Sequence, residues 1–319
     1  MTATRLDHCE NLPPGQRLLT SSLRRAIRLT LKPFFNRHTP VWLLRRGLNL
    51  MARISRPAAG VQRHADSLGG VPCELWLPEA APSAEGVVLY LHGGAYIAGS
   101  PATHRGLASH LALQCGQPVW VPDYRLAPEH AYPAALDDAL ACYQALLEQE
   151  LDGSEITVAG DSAGGGLALA LALKLRDEGL PLPGKLVTLS PWTDLSLDGQ
   201  HDENQADEIM LSWPGLDRGA QAYAGDRRTL PWVSPVYGDL TGLPPLLVIV
   251  GSEEILLGDS ERLTELARQC GQQVHLVVYE GLWHVFVAHA GALHAADDAI
   301  ARISAFIAGE PRFPAEAGD

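Results

Sequence analysis

The stretch Ile156-Thr157-Val158-Ala159-Gly160-Asp161-Ser162-Ala163-Gly164 decides how the rest of the chain is read. Ile156 to Ala159 is a short apolar run of the kind found in strands buried on both faces. The Ala- and Leu-rich stretch from Ala163 to Asp177 has the composition of a helix. Between them, glycines stand two residues to either side of Ser162. A serine on such a strand-to-helix turn is held in a strained conformation with its hydroxyl exposed. The flanking glycines are needed because a side chain there would strike the neighbouring elements. The turn also puts Ser162 at a helix N-terminus, where backbone N–H groups and the helix dipole favour developing negative charge. The five-residue pattern is weak by itself; the strand before it and the helix after it make it specific. A glycine-rich phosphate loop or a plain tight turn is the competing reading, and it leaves that context unexplained.

Outward from this turn the same alternation repeats. Candidate strands are Cys73–Leu77, Val87–His92, Val119–Pro122, Leu186–Leu189, Leu246–Val250 and Val274–Tyr279. Helical periods cover Thr103–Gln114, Ala134–Glu148, Ser260–Gln269 and Ala292–Ile307. Strand–helix alternation predicts a mostly parallel sheet with helices on both sides. Two regions stand apart. Residues 1–55 read as helices without a strand, over Leu18–Phe35 and Val41–Ser55. Residues 198–230 are polar and then run into Trp213-Pro214 and a short helix. Both are suited to cover the end of the sheet from which the active loops emerge.

Composition narrows the class. The chain has 319 residues, 46% hydrophobic and 19% charged, with net charge −13. It is too apolar for a disordered chain, long enough for a large core, and too acidic to bind nucleic acid with its whole surface. The charge is uneven: residues 1–63 hold 12 Lys+Arg against 2 Asp+Glu, while the remainder carries −23. A basic accessory element folded on an acidic body is preferred to a stable membrane contact or a polyanion contact. No apolar signal core follows Met1, and no run approaches the ~18–20 apolar residues of a spanning helix. The five cysteines, Cys9, Cys73, Cys115, Cys142 and Cys270, are scattered and form no Cys-x-x-Cys pair. They read as free thiols in a reducing, cytoplasmic setting, with no zinc site.

Three more segments carry chemistry. His92-Gly93-Gly94-Ala95 follows the strand at Val87, and adjacent glycines let a loop turn its N–H groups inward. Gly93 and Gly94, with Ala163, are therefore candidate oxyanion donors, although a glycine pair alone is more often an ordinary turn. Glu280-Gly281-Leu282-Trp283-His284-Val285-Phe286 follows the last strand and offers His284 as the base that a serine hydroxyl needs. Of the twelve histidines, His92 belongs to the glycine loop, and His289 and His294 lie in or near a helix. The base in turn needs an acid. The loop Gly251-Ser252-Glu253-Glu254-Ile255-Leu256-Leu257-Gly258-Asp259 holds three competing carboxylates, in the order Ser…acid…His.

Together with Asp123-Tyr124-Arg125-Leu126-Ala127-Pro128-Glu129-His130, Ser190-Pro191-Trp192 and Gly242-Leu243-Pro244-Pro245, these segments resemble the hormone-sensitive-lipase-like esterases, the bacterial family IV of the α/β-hydrolases. The likeness covers nearly all of residues 70–310. It implies an α/β-hydrolase fold: a mostly parallel sheet of about eight strands flanked by helices. It also implies a helical cap made of residues 1–55 and an insertion, 198–230, after the sixth strand, over a catalytic domain of residues 56–197 and 231–319. It implies a carboxylic-ester hydrolase for short to medium acyl esters that needs no metal or organic cofactor. A homodimer formed through the last strand and its neighbouring helix is also implied.

Two positions depart from the family pattern. Ala95 stands where a third glycine is usual, and Glu254-Ile255-Leu256 stands where Asp-Pro-Leu is usual. The alignment makes Glu254 the acid, with Glu253 second and Asp259 third. Phe34 and Phe35 from the N-terminal helices, Leu211 and Trp213 from the insertion, and Phe286 beside the base are candidates for an apolar substrate pocket, and simple packing explains each equally well. A lactone hydrolase, amidase or deacetylase would use the same residues. A non-catalytic small-molecule binder is disfavoured because Ser162, an acid and His284 are all retained.

Overall fold

The computed structural model describes residues 4–6, 13–52, 56–80, 85–198 and 207–310. Its strands are β1 (Thr4–Leu6), β2 (Val61–Leu68), β3 (Val71–Pro78), β4 (Val87–Leu91), β5 (Val119–Pro122), β6 (Ile156–Asp161), β7 (Lys185–Leu189), β8 (Leu246–Gly251) and β9 (Val274–Tyr279). They form one nine-stranded sheet in the order β1-β9-β8-β7-β6-β4-β5-β3-β2. Seven neighbouring strands, β1 to β5 in that order, run parallel; β3 opposes β5, and β2 opposes β3. The helices are α1 (Pro14–Thr30), α2 (Val41–Ala52), α3 (Arg105–Cys115), α4 (Ala134–Leu147), α5 (Ala163–Asp177), α6 (Trp213–Ala224), α7 (Leu257–Gln269) and α8 (His294–Ile307).

The central strands divide their side chains between two layers. Leu89 and Leu91 of β4 join a core with α4, α5, α6 and α7, whereas Val88 and Tyr90 join a second core with α1, α3 and α8. This is the period-two alternation of a strand covered on both sides. Every residue of α5 from Ala163 to Leu173 is buried, which its Ala- and Leu-rich sequence permits without stranding a polar group. Cys73, Cys115, Cys142 and Cys270 are free thiols; Cys9 lies outside the described residues.

Two strands correct the reading above. Residues 1–55 were expected to hold helices only, yet Thr4–Leu6 pairs in parallel with Val277–Tyr279. Three residues are too few to show an alternation. The strand β2 is absent from the sequence-based set because its middle six residues, Gln62–Ser67, are exposed, so no apolar period marks it. Antiparallel pairing with β3 holds it in place.

The regions set apart in the sequence meet at the C-terminal ends of the strands. From α1, Arg24 pairs with Glu253 and donates to the Gly281 carbonyl at 2.6 Å, both in loops that follow β8 and β9. From α2, Arg45 donates to the Ile97 carbonyl at 2.8 Å, to Ala127 at 2.9 Å and to Glu129 at 2.7 Å, beyond β4 and β5. At the start of α6, Ser212 accepts from the Gly215 N–H at 3.2 Å and donates to the Phe35 carbonyl at 2.7 Å. Arg218 reaches the carbonyls of Asn36 and Thr39. Residues 199–206 of the insertion lie outside the described residues.

Candidate active site

The register of the parallel strands brings the chemical loops to one edge. Leu91 lies opposite Gly160, Asp161 opposite Leu189, Leu189 opposite Ile249, and Gly251 opposite Tyr279. Each strand then releases one segment: the glycine turn after β4, Ser162 after β6, Ser190 after β7, the acid loop after β8 and the His284 loop after β9.

Ser162 occupies φ 51°, ψ −121° at the start of α5 and is 5% exposed. This positive-φ conformation costs a non-glycine residue on the order of 1–3 kcal/mol. The close approach explains the flanking glycines: a Cβ at Gly160 would run into the Gly164 carbonyl, and one at Gly164 into the Leu91 carbonyl. The Ser162 amide donates to the Leu189 carbonyl at 2.8 Å, and its carbonyl accepts from the Trp192 amide at 2.9 Å. These bonds tie the strained turn to the segment after β7.

The three competing carboxylates have three different partners. Glu254, fully buried, meets His284 Nδ1 through Oε2. Glu253 pairs with Arg24. Asp259 accepts from the Thr193 and Asp194 amides at 2.8 and 3.0 Å. Burial raises the Asp259 carboxyl to about 7, against the two backbone bonds that favour its charge. The second oxygen of Glu254 accepts from the Gly251 amide at 2.9 Å and from Ser190 Oγ at 2.8 Å. Ser190 Oγ also accepts from the Val285 amide at 3.1 Å, so one hydroxyl links the acid to the histidine loop. Burial pulls the His284 pKa down, but the charge and hydrogen bond of Glu254 outweigh it, helped by Glu208 and Asp161, and the pKa is raised. Among the described residues His284 Nε2 makes no hydrogen bond, and neither does it bond Ser162 Oγ.

The oxyanion expectation needs one correction. The Gly93 N–H is directed at Asp161 Oδ1 at 2.9 Å, so it is not free to hold an oxyanion. Among the described residues no acceptor meets the N–H groups of Gly94, Ala95 or Ala163. Ala95 and Tyr96 take φ of 54° and 61°, a left-handed pair that turns the chain without the third glycine. The carbonyl of Ala95 is packed under α6, where a Cβ on Gly219 would approach to 2.7 Å.

The pocket candidates separate. Trp213 lines a cleft of about 430 Å³ with Arg37, Leu197 and Asp217. Phe34 and Phe35 are half-buried against the same core layer as Leu211, which is 4% exposed. Phe286 departs from expectation. It is fully buried in the α3 and α8 layer, 4.8 Å from the Tyr279 ring. Val285, at φ 51°, turns the chain directly after His284 and sends Phe286 beneath the sheet.

Three residues escaped the sequence reading. Ser190 carried a signal, the Ser190-Pro191-Trp192 motif, with no role attached. Glu208, 1% exposed, accepts from the Met210, Leu211 and Ile255 amides at 2.6, 2.9 and 3.2 Å, joining the insertion to the acid loop. His104 meets Asp161 across 57 positions, a pairing no local pattern announces. Among the described residues no three His, Cys, Asp or Glu side chains converge as a metal site would, and no helix is long and apolar enough to cross a membrane.

Residues 88–288 match the family model described as the alpha/beta hydrolase fold. An esterase of Acinetobacter venetianus is 39% identical over 292 residues, covering 91% of this chain and 93% of that one. The chain belongs to the α/β-hydrolase family. An acetyl-hydrolase of Streptomyces hygroscopicus is 47% identical over 201 residues, 62% of this hydrolase and 67% of the relative. The crystal structure of an esterase from the bacterial hormone-sensitive lipase family superposes with a TM-score of 0.85 at 35% identity, covering 94% of this hydrolase and 99% of that chain. The hydrolase is a member of the hormone-sensitive-lipase-like group of carboxylic-ester hydrolases.

Proposed function

We propose that this hydrolase cleaves short to medium acyl esters through Ser162, His284 and Glu254. The observation that carries the reading is the buried Glu254–His284 contact one loop away from a strained Ser162 turn. Ser162 attacks the acyl carbon while His284 Nε2 takes its proton. Glu254 holds the Nδ1–H tautomer and stabilises the imidazolium. The N–H groups of Gly94 and Ala163, with Ala95 in place of Gly93, receive the oxyanion. The alcohol leaves with a proton from His284, and water activated by His284 releases the acid. The contact of Ser162 Oγ with Nε2 forms in the substrate complex, where catalytic hydrogen bonds tighten.

Residues 1–55 and 198–230 act as a cap in this reading. Its support is the contact of α6 with the Ala95 carbonyl and the hydrogen bonds from Ser212 and Arg218 to the α1–α2 connection. The name of the Streptomyces relative favours small acyl groups, acetyl among them. The test is a p-nitrophenyl ester series from acetate upward, run with matched lactone and amide substrates and a fluorophosphonate probe. Fastest turnover on the short esters and labelling of Ser162 are the expected results. A steady rise towards long-chain esters, or faster amide cleavage, would overturn the substrate assignment.

A further inference from the structure

A second histidine–carboxylate pair lies on the other side of Ser162, outside the proposed proton path. Asp161, immediately before Ser162, is 3% exposed. It accepts from Tyr90 Oη at 2.8 Å and from the Gly93 N–H at 2.9 Å, and His104 Nε2 approaches its two oxygens at 3.2 and 3.3 Å. One carboxylate thereby joins β4, the glycine turn, the short 3-10 turn Pro101–His104 and the Ser162 turn.

The surroundings of His104 favour a doubly protonated ring. Thr103 Oγ1 gives its proton to the Ser100 carbonyl at 2.7 Å. His104 Nδ1 lies 2.8 Å from that same hydroxyl oxygen and 3.2 Å from the Ser100 carbonyl. Nδ1 therefore faces acceptors, and Nε2 faces a carboxylate. The Ser100 carbonyl can only accept, and a neutral imidazole can donate from one nitrogen only, so donation to both that carbonyl and Asp161 takes the imidazolium; a Thr103 hydroxyl turned towards Nδ1 would serve a neutral ring.

We infer that His104 and Asp161 form a buried ion pair that positions the oxyanion turn of this hydrolase. With the Gly93 N–H held by Asp161, the following N–H groups of Gly94 and Ala95 are left without protein acceptors, facing the role assigned to them above. His104 and Asp161 are positioning residues, since they act through the turn and touch no reacting atom. The inference rests on the proposed ester-hydrolase reading for its kinetic test alone.

The groups around His104 agree with this. From the turn after β4, His92 stacks on it with ring centroids 5.5 Å apart, and Tyr90 of β4 lies at 6.2 Å. Burial holds the His92 pKa down near 3, so His92 is neutral and stacks on Tyr124 at 4.2 Å. Arg105, next along the chain, is occupied by Glu74. Burial disfavours charge on His104, but the Asp161 charge and hydrogen bond outweigh it and raise its pKa. The folded-state pKa thus lies above the unfolded one. The pair's contribution to stability is complete below the ordinary histidine value, and it is lost as pH rises through the raised value. On deprotonation His104 gives up its bond to Asp161 or its bond to the Ser100 carbonyl.

The decisive measurement is the nitrogen-15 imidazole spectrum of the full chain. His104 doubly protonated at pH 7, losing a proton on the alkaline side of the free histidine range, is the expected result; a neutral ring at pH 7 overturns the pair. The second measurement is kcat and KM against pH for His104→Gln. The expected loss in kcat at neutral pH is on the order of 10- to 100-fold, below the ~10²–10³ for deleting an oxyanion donor outright. KM should stay near that of the unmodified chain, and the alkaline fall in kcat should disappear. An unchanged pH profile, or a lower melting temperature with kcat intact, would reduce His104 to a structural residue. Should His104→Gln fail to fold, Tyr90→Phe removes one donor from Asp161 and should lower kcat while keeping the alkaline fall; an unaltered kcat counts against the role. Failure of the ester-hydrolase reading would show as absent fluorophosphonate labelling, and the imidazole spectrum would still decide the ion pair.

Discussion

Ser162 sits between two buried histidine–carboxylate pairs that share a chemistry and differ in wiring. At His284–Glu254, one ring nitrogen is held by the acid while the other makes no hydrogen bond among the described residues. At His104–Asp161, both ring nitrogens face acceptors. An imidazole with one nitrogen uncommitted can shuttle a proton, whereas one that donates to acceptors from both nitrogens is held as a cation. What separates a base from a clamp is whether the second ring nitrogen is left to a substrate-side proton or committed to an acceptor of the fold.

The largest effect that would test this contrast is at the proposed proton path. Ser162→Ala or His284→Ala should lower kcat by roughly 10⁴–10⁶, read as ester turnover by the purified protein. Retention of near-normal turnover would remove the left-hand side of the comparison altogether. Glu254→Gln comes next, with a loss approaching the ~10⁴ seen when a triad acid is neutralised. Glu253→Gln, which breaks only an ion pair with Arg24, should leave kcat nearly unchanged. The reverse ranking would transfer the acid's role to Glu253.

The pH profile sharpens the same point. His284 must be neutral to accept a proton, and Glu254 raises its pKa. Activity should therefore fall as pH drops through a value above the ordinary histidine pKa. In Glu254→Gln that acid limb should move to lower pH, measured as kcat/KM between acid and neutral buffers. An unmoved limb would show that Glu254 does not set the base.

Smaller effects concern the cover. Trp213→Ala should change kcat/KM along the acyl series by about tenfold, the low end of what one methylene of apolar contact is worth. Arg24→Ala and Arg45→Ala should each cost no more than about 1 kcal/mol of stability, because the ion pairs are partly exposed, and the cost should shrink in high salt. Thermal melts at two salt concentrations would show it. The basic N-terminal region thus meets the acidic body in particular contacts, Arg24 with Glu253 and Arg45 with Glu129 among them.

How much was legible depended on how local each signal was. The strands β4, β6, β7, β8 and β9 announce themselves because both faces are covered, which demands continuous apolar residues. The strand β2 is wet on both faces, and its polar sequence carries no such demand. Ser162 and His284 stand out because a turn motif and a position after the last strand constrain them locally. The choice among Glu253, Glu254 and Asp259 depends on which way a tight loop turns, and spacing alone leaves it open. Phe286 was misjudged because proximity to His284 in sequence does not survive the left-handed turn at Val285. Gly93 was misassigned because the acceptor that occupies its N–H, Asp161, is distant in the chain.

The little strand β1 has a consequence for association. A parallel sheet offers a row of unpaired N–H and C=O groups along any bare outer strand, and another chain can zip onto it. Thr4–Leu6 lies along Val277–Tyr279 and takes up part of that row, and Arg5 fastens it with bonds to Glu261 and Glu280. A second copy docking edge to edge at β9 would first have to peel off three residues held by two ion pairs. The chain carries its own seam cover, and salt strong enough to screen Arg5 would loosen it.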